Sequence, residues 1–188
     1  NSCGSNSVMY GSTRDHLVRV EGFLADGTKV VFEPLNERDF KNKVEGKTTV
    51  SALEQKIYEQ ALKILENPDN REKINTAFPH PDIPRRNTGY ALDLLMDAAP
   101  IHETADKPFN FCKLIAGSEG TLFFLTKITL KTVPLPPPVQ GLLCVHFHDL
   151  YEALESTIIA LEENPGAVEL MDHYILDCTK CSAEHKAN

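Results

Sequence analysis

Apolar and polar residues alternate over residues 17–24, a pattern typical of a β-strand with one buried face. Residues 25–28 read Ala-Asp-Gly-Thr, and glycine adopts the positive φ that tight hairpins require. The apolar run at residues 29–32 then returns as a second strand. The pattern therefore predicts a β-hairpin over residues 17–32.

Helical periodicity is clearest over residues 51–66, where apolar residues recur on one face. Ser51 and Glu54 have the spacing of a capping box, which indicates a helix start, and the Asn-Pro pair at 67–68 indicates its end. Further predicted elements are a helix from an Asp69 N-cap to about Ala77, helical turns over 90–96 and 109–115, and one long strand or a bent pair over 121–133.

Alternate residues from Leu122 to Leu130 are expected to form a half-buried face of that strand region. Prolines then occupy four of the five positions 134–138, which is typical of a stiff connector between domains. Beyond it, the pattern predicts a strand over 139–147, a helix from an Asp149 cap to about Glu163, and a short strand over 167–171.

The proline run predicts the domain organisation of the chain. We divide it into residues 1–134, a linker at 135–138 and residues 139–188. The last part has only about 50 residues, too few for an independently stable mixed domain, so we expect it to be a truncated domain. The chain begins with Asn1 rather than Met, and we expect it to be an internal piece of a longer protein.

Composition excludes several classes of function. The chain of 188 residues has 19 basic and 27 acidic side chains and a net charge of −8, which disfavours nucleic acid as a partner. No apolar run approaches the ~18 residues that span a membrane. The five cysteines fit reduced thiols in the cytoplasm better than a disulfide framework. Peripheral association of the longer protein with the inner face of the membrane is left open.

Two loops made of small and hydroxyl residues are candidates for ligand binding, at residues 1–7 and 117–121. Glycine lets the backbone approach a ligand closely, and successive N–H groups in such turns bind anions. The functional interpretation is that these two loops bind a phosphate-bearing cofactor. The alternative is two ordinary surface turns.

Six motifs in a fixed order lead to a resemblance. They are Asn1-Ser2-Cys3-Gly4, Tyr10-Gly11-Ser12-Thr13, Leu24-Ala25-Asp26-Gly27, Arg86-Asn87-Thr88-Gly89-Tyr90-Ala91-Leu92, Gly117-Ser118-Glu119-Gly120-Thr121-Leu122 and Val168-Glu169-Leu170-Met171-Asp172. Together they resemble the FAD-linked 2-hydroxy-acid dehydrogenase branch of the vanillyl-alcohol oxidase/p-cresol methylhydroxylase superfamily. This branch comprises the glycolate oxidase flavin subunit, D-lactate dehydrogenase and D-2-hydroxyglutarate dehydrogenase.

The resemblance implies an α+β fold. Residues 1–134 would form the second subdomain of a PCMH-type FAD-binding domain, with an antiparallel sheet flanked by helices, and residues 139–188 the start of the substrate (cap) domain. It also implies hydride transfer from a D-2-hydroxy acid to flavin N5, with a quinone, a flavoprotein or an iron–sulfur protein as electron acceptor. FAD is expected to be non-covalent, although Cys3 leaves a tether open, and an iron–sulfur cluster is expected elsewhere in the longer protein.

The resemblance also assigns cofactor contacts, at Asn1, Ser2, Gly4, Gly117, Ser118, Glu119, Gly120 and Phe124. Backbone contacts are expected from Phe123 and Leu125 as well, and Phe123 stands where the family usually has glycine. The family's glycine-rich pyrophosphate loop and its two-histidine motif, which holds a metal and the substrate carboxylate, are not found in this sequence. We therefore assign no catalytic and no metal-binding residue to this chain, and we expect the chain alone to be inactive.

Other residues permit weaker interpretations. His146 and His148 share a strand face and are a two-ligand metal candidate, whereas zinc takes three or four ligands. Cys178 and Cys181 have CxxC spacing, and two thiols without a metal are the simpler alternative. A guanidinium at Arg85 or Arg86 would suit a carboxylate or phosphate, and the alternative is a solvated loop charge. Tyr10 and Tyr90 are expected to be packing residues.

Two other functions remain as alternatives. One is a different FAD-linked enzyme on the same fold, such as an alcohol or sugar oxidase. The other is a non-catalytic scaffold that has lost flavin. A homodimer of this chain through an exposed sheet edge is also left open.

Overall fold

A computed structural model of the chain describes residues 1–83, 86–102 and 104–180. Its contacts divide the chain into two compact units. The first comprises residues 1–3 and 12–133, and the second comprises residues 4–11 and the chain from 134 onward. The first unit holds most of the buried apolar residues and all of the sheet.

The first unit is an α+β structure built on a three-stranded antiparallel sheet. Its strands are β1 (Leu17–Phe23), β2 (Lys29–Phe32) and β3 (Phe124–Leu130), in the order β2-β1-β3. β1 pairs with β2 in the register Val20 opposite Phe32, so the predicted hairpin is confirmed. Within residues 121–133, only Phe124–Leu130 form a strand, which is one strand rather than a bent pair and is shorter than predicted. Every residue of β3 is exposed, so the expected half-buried face is wrong for this chain.

The helices in the described part of the chain vary from a single turn to four turns. They are α1 (Ser7–Tyr10), α2 (Thr13–His16), α3 (Glu37–Val44), α4 (Ala52–Glu66), α5 (Pro68–Ala77), α6 (Leu92–Met96), α7 (Cys112–Ile115), α8 (Leu150–Glu162) and α9 (His173–Lys180). The helices predicted over 51–66, 90–96, 109–115 and 149–163 are confirmed as α4, α6, α7 and α8. Among the described residues, no helix is both long and apolar enough to cross a membrane.

Aromatic rings fill the centre of the first unit. Phe32 of β2 packs edge-on against Phe111, with ring centroids 5.3 Å apart, and Phe111 packs against Tyr58 of α4 at 5.0 Å. Phe109 joins them from the loop before α7 and is completely buried. Edge-to-face aromatic pairs contribute favourably beyond the area they bury, so this cluster fixes α4 and α7 against the sheet.

Two details of the helix ends differ from the sequence expectation. The N-cap of α5 is Asn67, whose side chain accepts from the Asn70 amide, and Asp69 lies within the first turn. Proline fits the first helical position because its missing N–H has no partner there, so the helix starts earlier. At α4, Ser51 accepts from the Glu54 amide as expected, but the Glu54 carboxylate accepts from the Val50 amide instead of that of Ser51.

The second unit contains α1, α8 and α9 but no strand among its described residues. The strands predicted over 139–147 and 167–171 are therefore wrong, since both segments are irregular and mostly exposed. A strand requires a neighbour for its backbone hydrogen bonds, and no described strand is paired with either segment. The helix cap was predicted correctly: the Asp149 side chain accepts from the Glu152 amide at 3.0 Å.

Candidate functional site

Arg14 lies at the junction of the segments that carry the resemblance, and sequence analysis did not single it out. It sits in α2, where the Asp15 carboxylate accepts from the Ser12 amide at 2.7 Å and closes a capping box. This box fixes a single helical turn ahead of β1 and directs the Arg14 side chain inward, where only 2% of the residue is exposed.

The Arg14 guanidinium binds backbone carbonyls from two loops. Its Nη2 donates to the oxygens of Thr88 (2.6 Å) and Gly89 (2.7 Å), in a segment that we call the Arg-Asn loop (residues 86–90). Nε and Nη2 also donate to the Ala116 oxygen, at 3.1 and 2.5 Å, in the glycine loop (residues 116–121). One buried side chain therefore joins two motifs that lie far apart in the sequence.

The first residues of the chain join the same junction. The Asn1 side chain accepts from the Arg14 amide at 2.8 Å and donates to the Asn87 side chain at 3.0 Å. The Ser2 oxygen accepts from the Thr13 amide and hydroxyl, at 3.0 and 2.8 Å. We call residues 1–3 the first loop. The first loop, the Arg-Asn loop and the glycine loop thus converge around Arg14.

The glycine loop has the geometry of an anion-binding turn. Gly117, Glu119 and Gly120 all have positive φ, at 96°, 53° and 76°. The loop is closed by Thr121, whose amide and hydroxyl both donate to the Ser118 oxygen, and the Thr121 hydroxyl also contacts the Tyr90 hydroxyl at 2.5 Å. Within the described part of the chain, the amides of Gly117, Glu119 and Gly120 have no acceptor. Such amides fit an acceptor-rich group such as a phosphate or a flavin carbonyl.

Glycine is required at position 117 for a second reason besides its φ. A Cβ there would lie 2.6 Å from Arg14 Nη2 and 2.9 Å from the Gly89 oxygen, closer than real contacts allow. The glycine loop, the Arg-Asn loop and Arg14 are therefore in direct contact at this point.

Buried charge underlies the loops. Arg86 forms an ion pair with Asp93 of α6, so it is a paired side chain rather than a solvated loop charge. Burial lowers the pKa of the Arg14 guanidinium, while the carboxylates of Asp93 and Asp15 raise it. The Arg86 Nε and Asp93 Oδ1 atoms are buried, and neither has a hydrogen-bond partner among the residues that the structure describes. The guanidiniums of Arg14 and Arg86 are thus accompanied by the carboxylates of Asp93 and Asp15, so the formal charges of these four side chains balance.

The predicted contacts are distributed over both units. Asn1, Ser2, Gly117, Ser118, Glu119 and Gly120 lie in the converging loops. Gly4 belongs to the second unit, where its oxygen accepts from the Ser7 amide. Phe124 is on β3 with 71% of its surface exposed, whereas Phe123 is buried and packs against Phe32 at 5.2 Å. These cofactor contacts remain predictions.

The structure brings no metal-binding group together around the histidine and cysteine candidates that it describes. His146 and His148 are exposed, and no group of three or more metal-ligating side chains occurs among the described residues. Cys178 is an exposed free thiol, whereas Cys181 and Arg85 lie outside the described residues. A cavity of about 220 Å³ lies beside β2 and the start of α4, lined in part by Lys29 and Glu54, and it involves none of the three loops.

Sequence reasoning missed Arg14, Asn87 and Asp93 as contributors to this site. The only local signal for Arg14 is the Ser-x-x-Asp spacing of residues 12–15, which predicts a helical start but not the burial of the arginine between them. Its carbonyl partners lie about 75 and 102 residues away, so only the tertiary structure brings them together.

Comparison with curated proteins confirms the resemblance of this chain to the 2-hydroxy-acid dehydrogenases. The curated relatives are D-2-hydroxyglutarate dehydrogenases. The chain is 26% identical over 177 residues to that of Escherichia coli K12 and 27% identical over 177 residues to that of Pantoea ananatis. It is 26% identical over 173 residues to that of Pseudomonas putida.

These alignments cover 92–94% of this chain but only 16% of each relative. The chain therefore spans about a sixth of the length of the curated relatives it matches. No protein-family model and no solved structure matches the chain.

Proposed function

We propose that this chain supplies part of the FAD site of a 2-hydroxy-acid dehydrogenase. The observation that supports this most is the convergence of three motif loops, far apart in sequence, on the buried Arg14. Glycine-loop amides that have no acceptor among the described residues suit the phosphates and carbonyls of FAD. In this proposal, residues 1–134 are the second subdomain of a PCMH-type FAD-binding domain and residues 139–188 begin the cap domain.

When bound, FAD would accept a hydride from the α-carbon of the substrate at flavin N5. This chain's share is to bind and orient the cofactor through the first loop, the Arg-Asn loop and the glycine loop. The names of the relatives favour D-2-hydroxyglutarate over lactate and glycolate as substrate. A cytoplasmic location and transfer of electrons to a quinone, a flavoprotein or an iron–sulfur centre complete the proposal.

Anaerobic reduction tests this proposal in the longer protein that contains this chain. We expect a flavin absorbance spectrum that bleaches on addition of D-2-hydroxyglutarate, and faster than with D-lactate or glycolate. L-2-hydroxyglutarate is the matched control, since the proposed substrate has the D configuration. Bleaching by an alcohol or a sugar but not by hydroxy acids would favour a different oxidase, and a colourless protein that does not take up FAD would favour a scaffold.

A further inference from the structure

We infer that Arg14 is a positioning residue for the cofactor, which sets the direction of peptide N–H groups in the Arg-Asn loop and the glycine loop. This inference rests on the proposed FAD site. Arg14 itself is buried beneath the loops, so it acts through the backbone of the loops rather than by touching the cofactor.

The direction of the N–H groups follows from peptide geometry. The only cis peptide bond found in the described part of the chain joins Ala99 and Pro100, so the peptides of both loops are trans. In a trans peptide the C=O and N–H groups point in opposite directions. Because Arg14 holds the oxygens of Thr88, Gly89 and Ala116, the amides of the following residues point away from the guanidinium.

Those amides belong to Gly89, Tyr90 and Gly117. None of them has an acceptor among the described residues. They are donors whose orientation is fixed before any ligand binds, and a preorganised donor loses little freedom on binding. The ligand they would take is an acceptor-rich group of the cofactor, either a pyrophosphate oxygen or a flavin carbonyl.

Lysine cannot replace arginine in this arrangement. A guanidinium is planar and offers five N–H donors in a rigid fork, which allows simultaneous contacts to carbonyls from two loops. An ammonium is a compact charge that would satisfy fewer of them and leave buried carbonyls without donors. Only 2% of the surface of Arg14 is exposed, so water has little access to the guanidinium side of these contacts.

The backbone of Arg14 is itself held on both sides. Its amide donates to the Asn1 side chain at 2.8 Å, and its carbonyl accepts from Lys113 Nζ at 2.8 Å. Lys113 lies on α7, directly before the glycine loop. The guanidinium is thereby anchored to the same helix whose end it orients, and a change at Lys113 should loosen the arrangement more mildly than a change at Arg14.

The test compares Arg14→Lys with two controls in the longer protein. Arg38→Lys makes the same substitution at an exposed arginine of α3. Leu65→Ala removes a core contact of α4, outside the three loops, and lowers global stability without altering them. Lys113→Met is a second test variant, which weakens the same arrangement and keeps the inference testable if Arg14→Lys does not fold.

Hydrogen exchange of the FAD-free protein gives the first readout. Arg14→Lys is expected to speed exchange about tenfold at the hydrogen-bonded amides of the glycine loop, those of Ala116, Ser118 and Thr121, without a matching change in the β1–β2 hairpin. Lys113→Met should do the same to a smaller extent, and Arg38→Lys should change nothing. Exchange that is unchanged, or that rises evenly over the chain as in Leu65→Ala, would overturn the inference.

FAD binding gives the second readout. We expect Arg14→Lys to raise the FAD dissociation constant about tenfold and to change the circular dichroism of the bound flavin. Leu65→Ala should change neither once the protein is folded and saturated. If the unaltered protein binds FAD and Arg14→Lys binds it identically, the inference alone fails. If the unaltered protein binds no FAD, the proposed function fails as well.

Discussion

At the scale of single residues, Cys112 shows how burial controls reactivity. Its Sγ lies in the core, 3.3 Å from the Phe32 oxygen, and burial raises the pKa of this thiol to about 11. The reactive form of a cysteine is the thiolate, so a buried thiol with a raised pKa is inert near neutral pH. Cys3, Cys144 and Cys178 are exposed by contrast.

We predict that iodoacetamide at pH 8 alkylates Cys3, Cys144 and Cys178 but leaves Cys112 unmodified until the protein unfolds. Because the pKa is raised, the folded state keeps its proton over the range in which an unfolded thiol ionises, so the unfolding free energy falls as pH rises from about 9 towards 11. Peptide mass spectrometry with and without denaturant measures the labelling. Labelling of Cys112 in the folded protein at the rate of Cys3 would contradict this account.

Gly117 and Gly27 form a matched pair of glycines. Both have positive φ, at 96° and 81°, so alanine costs about 1–2 kcal/mol of backbone strain at either position. Only at Gly117 would the new Cβ also meet Arg14 and Gly89, whereas Gly27 faces open space. We predict that Gly117→Ala destabilises the protein more than Gly27→Ala and that it alone weakens FAD binding.

Urea unfolding and FAD titration of both variants measure this difference. Gly27 lies in the β1–β2 turn, outside the three loops, so Gly27→Ala controls for the backbone strain alone. Equal stability and equal FAD affinity of the two variants would show that the contact between the glycine loop and Arg14 has no consequence.

At the scale of secondary-structure elements, a buried ion pair joins α3 to α4. Lys43 Nζ lies 2.6 Å from Glu54 Oε1, and the other Glu54 oxygen accepts from the Val50 amide at 2.7 Å. Glu54 is completely buried, so its carboxylate depends on these partners. Removing one member of a buried pair leaves an uncompensated charge, which costs more than the pair itself contributes.

We predict that Lys43→Met lowers the free energy of unfolding by about 3 kcal/mol, and that Lys41→Met on the exposed side of the same helix changes it by less than about 0.5 kcal/mol. The double variant Lys43→Met/Glu54→Gln should recover part of the loss, since it removes the buried charge. Chemical denaturation of the unaltered protein and of these three variants measures the differences in unfolding free energy. A loss of equal size in Lys43→Met and Lys41→Met would rule out a structural role for the pair.

Local signals predicted the elements that are stabilised locally. The Ser51 cap, the helical periodicity of α4 and the Asp149 cap all act within a few residues, and the hairpin turn at Gly27 does so too. The strands expected over 139–147 and 167–171 depend on partner strands, which the pattern of a segment cannot supply. α3 was missed because its eight residues contain a single buried apolar side chain, Phe40.

At the scale of the whole molecule, the sequence indicated which loops matter but not how they meet. The order of the motifs led to the family resemblance and to the glycine loop. The hub of the site, Arg14, is an ordinary cation in the sequence, and its role depends on contacts with residues 88, 89 and 116. Such long-range contacts are a property of the fold, which explains why the arginine was not predicted.

The chain also spans only about a sixth of its curated relatives. The exposed strand β3 and the apolar side chains along α8, including Ile158 and Ile159, lie on surfaces that these described residues leave uncovered. Experiments on cofactor binding therefore belong in the longer protein that contains this chain, where the three loops have their natural surroundings.

The most direct test of the central claim is a titration of that protein, freed of cofactor, with FAD. The account predicts saturable binding of one FAD per polypeptide chain, with a shifted flavin absorbance spectrum on binding. Riboflavin, which lacks the phosphates, should bind far more weakly. A folded protein whose FAD titration shows no saturation and no spectral change would contradict the claim that these loops form a flavin site.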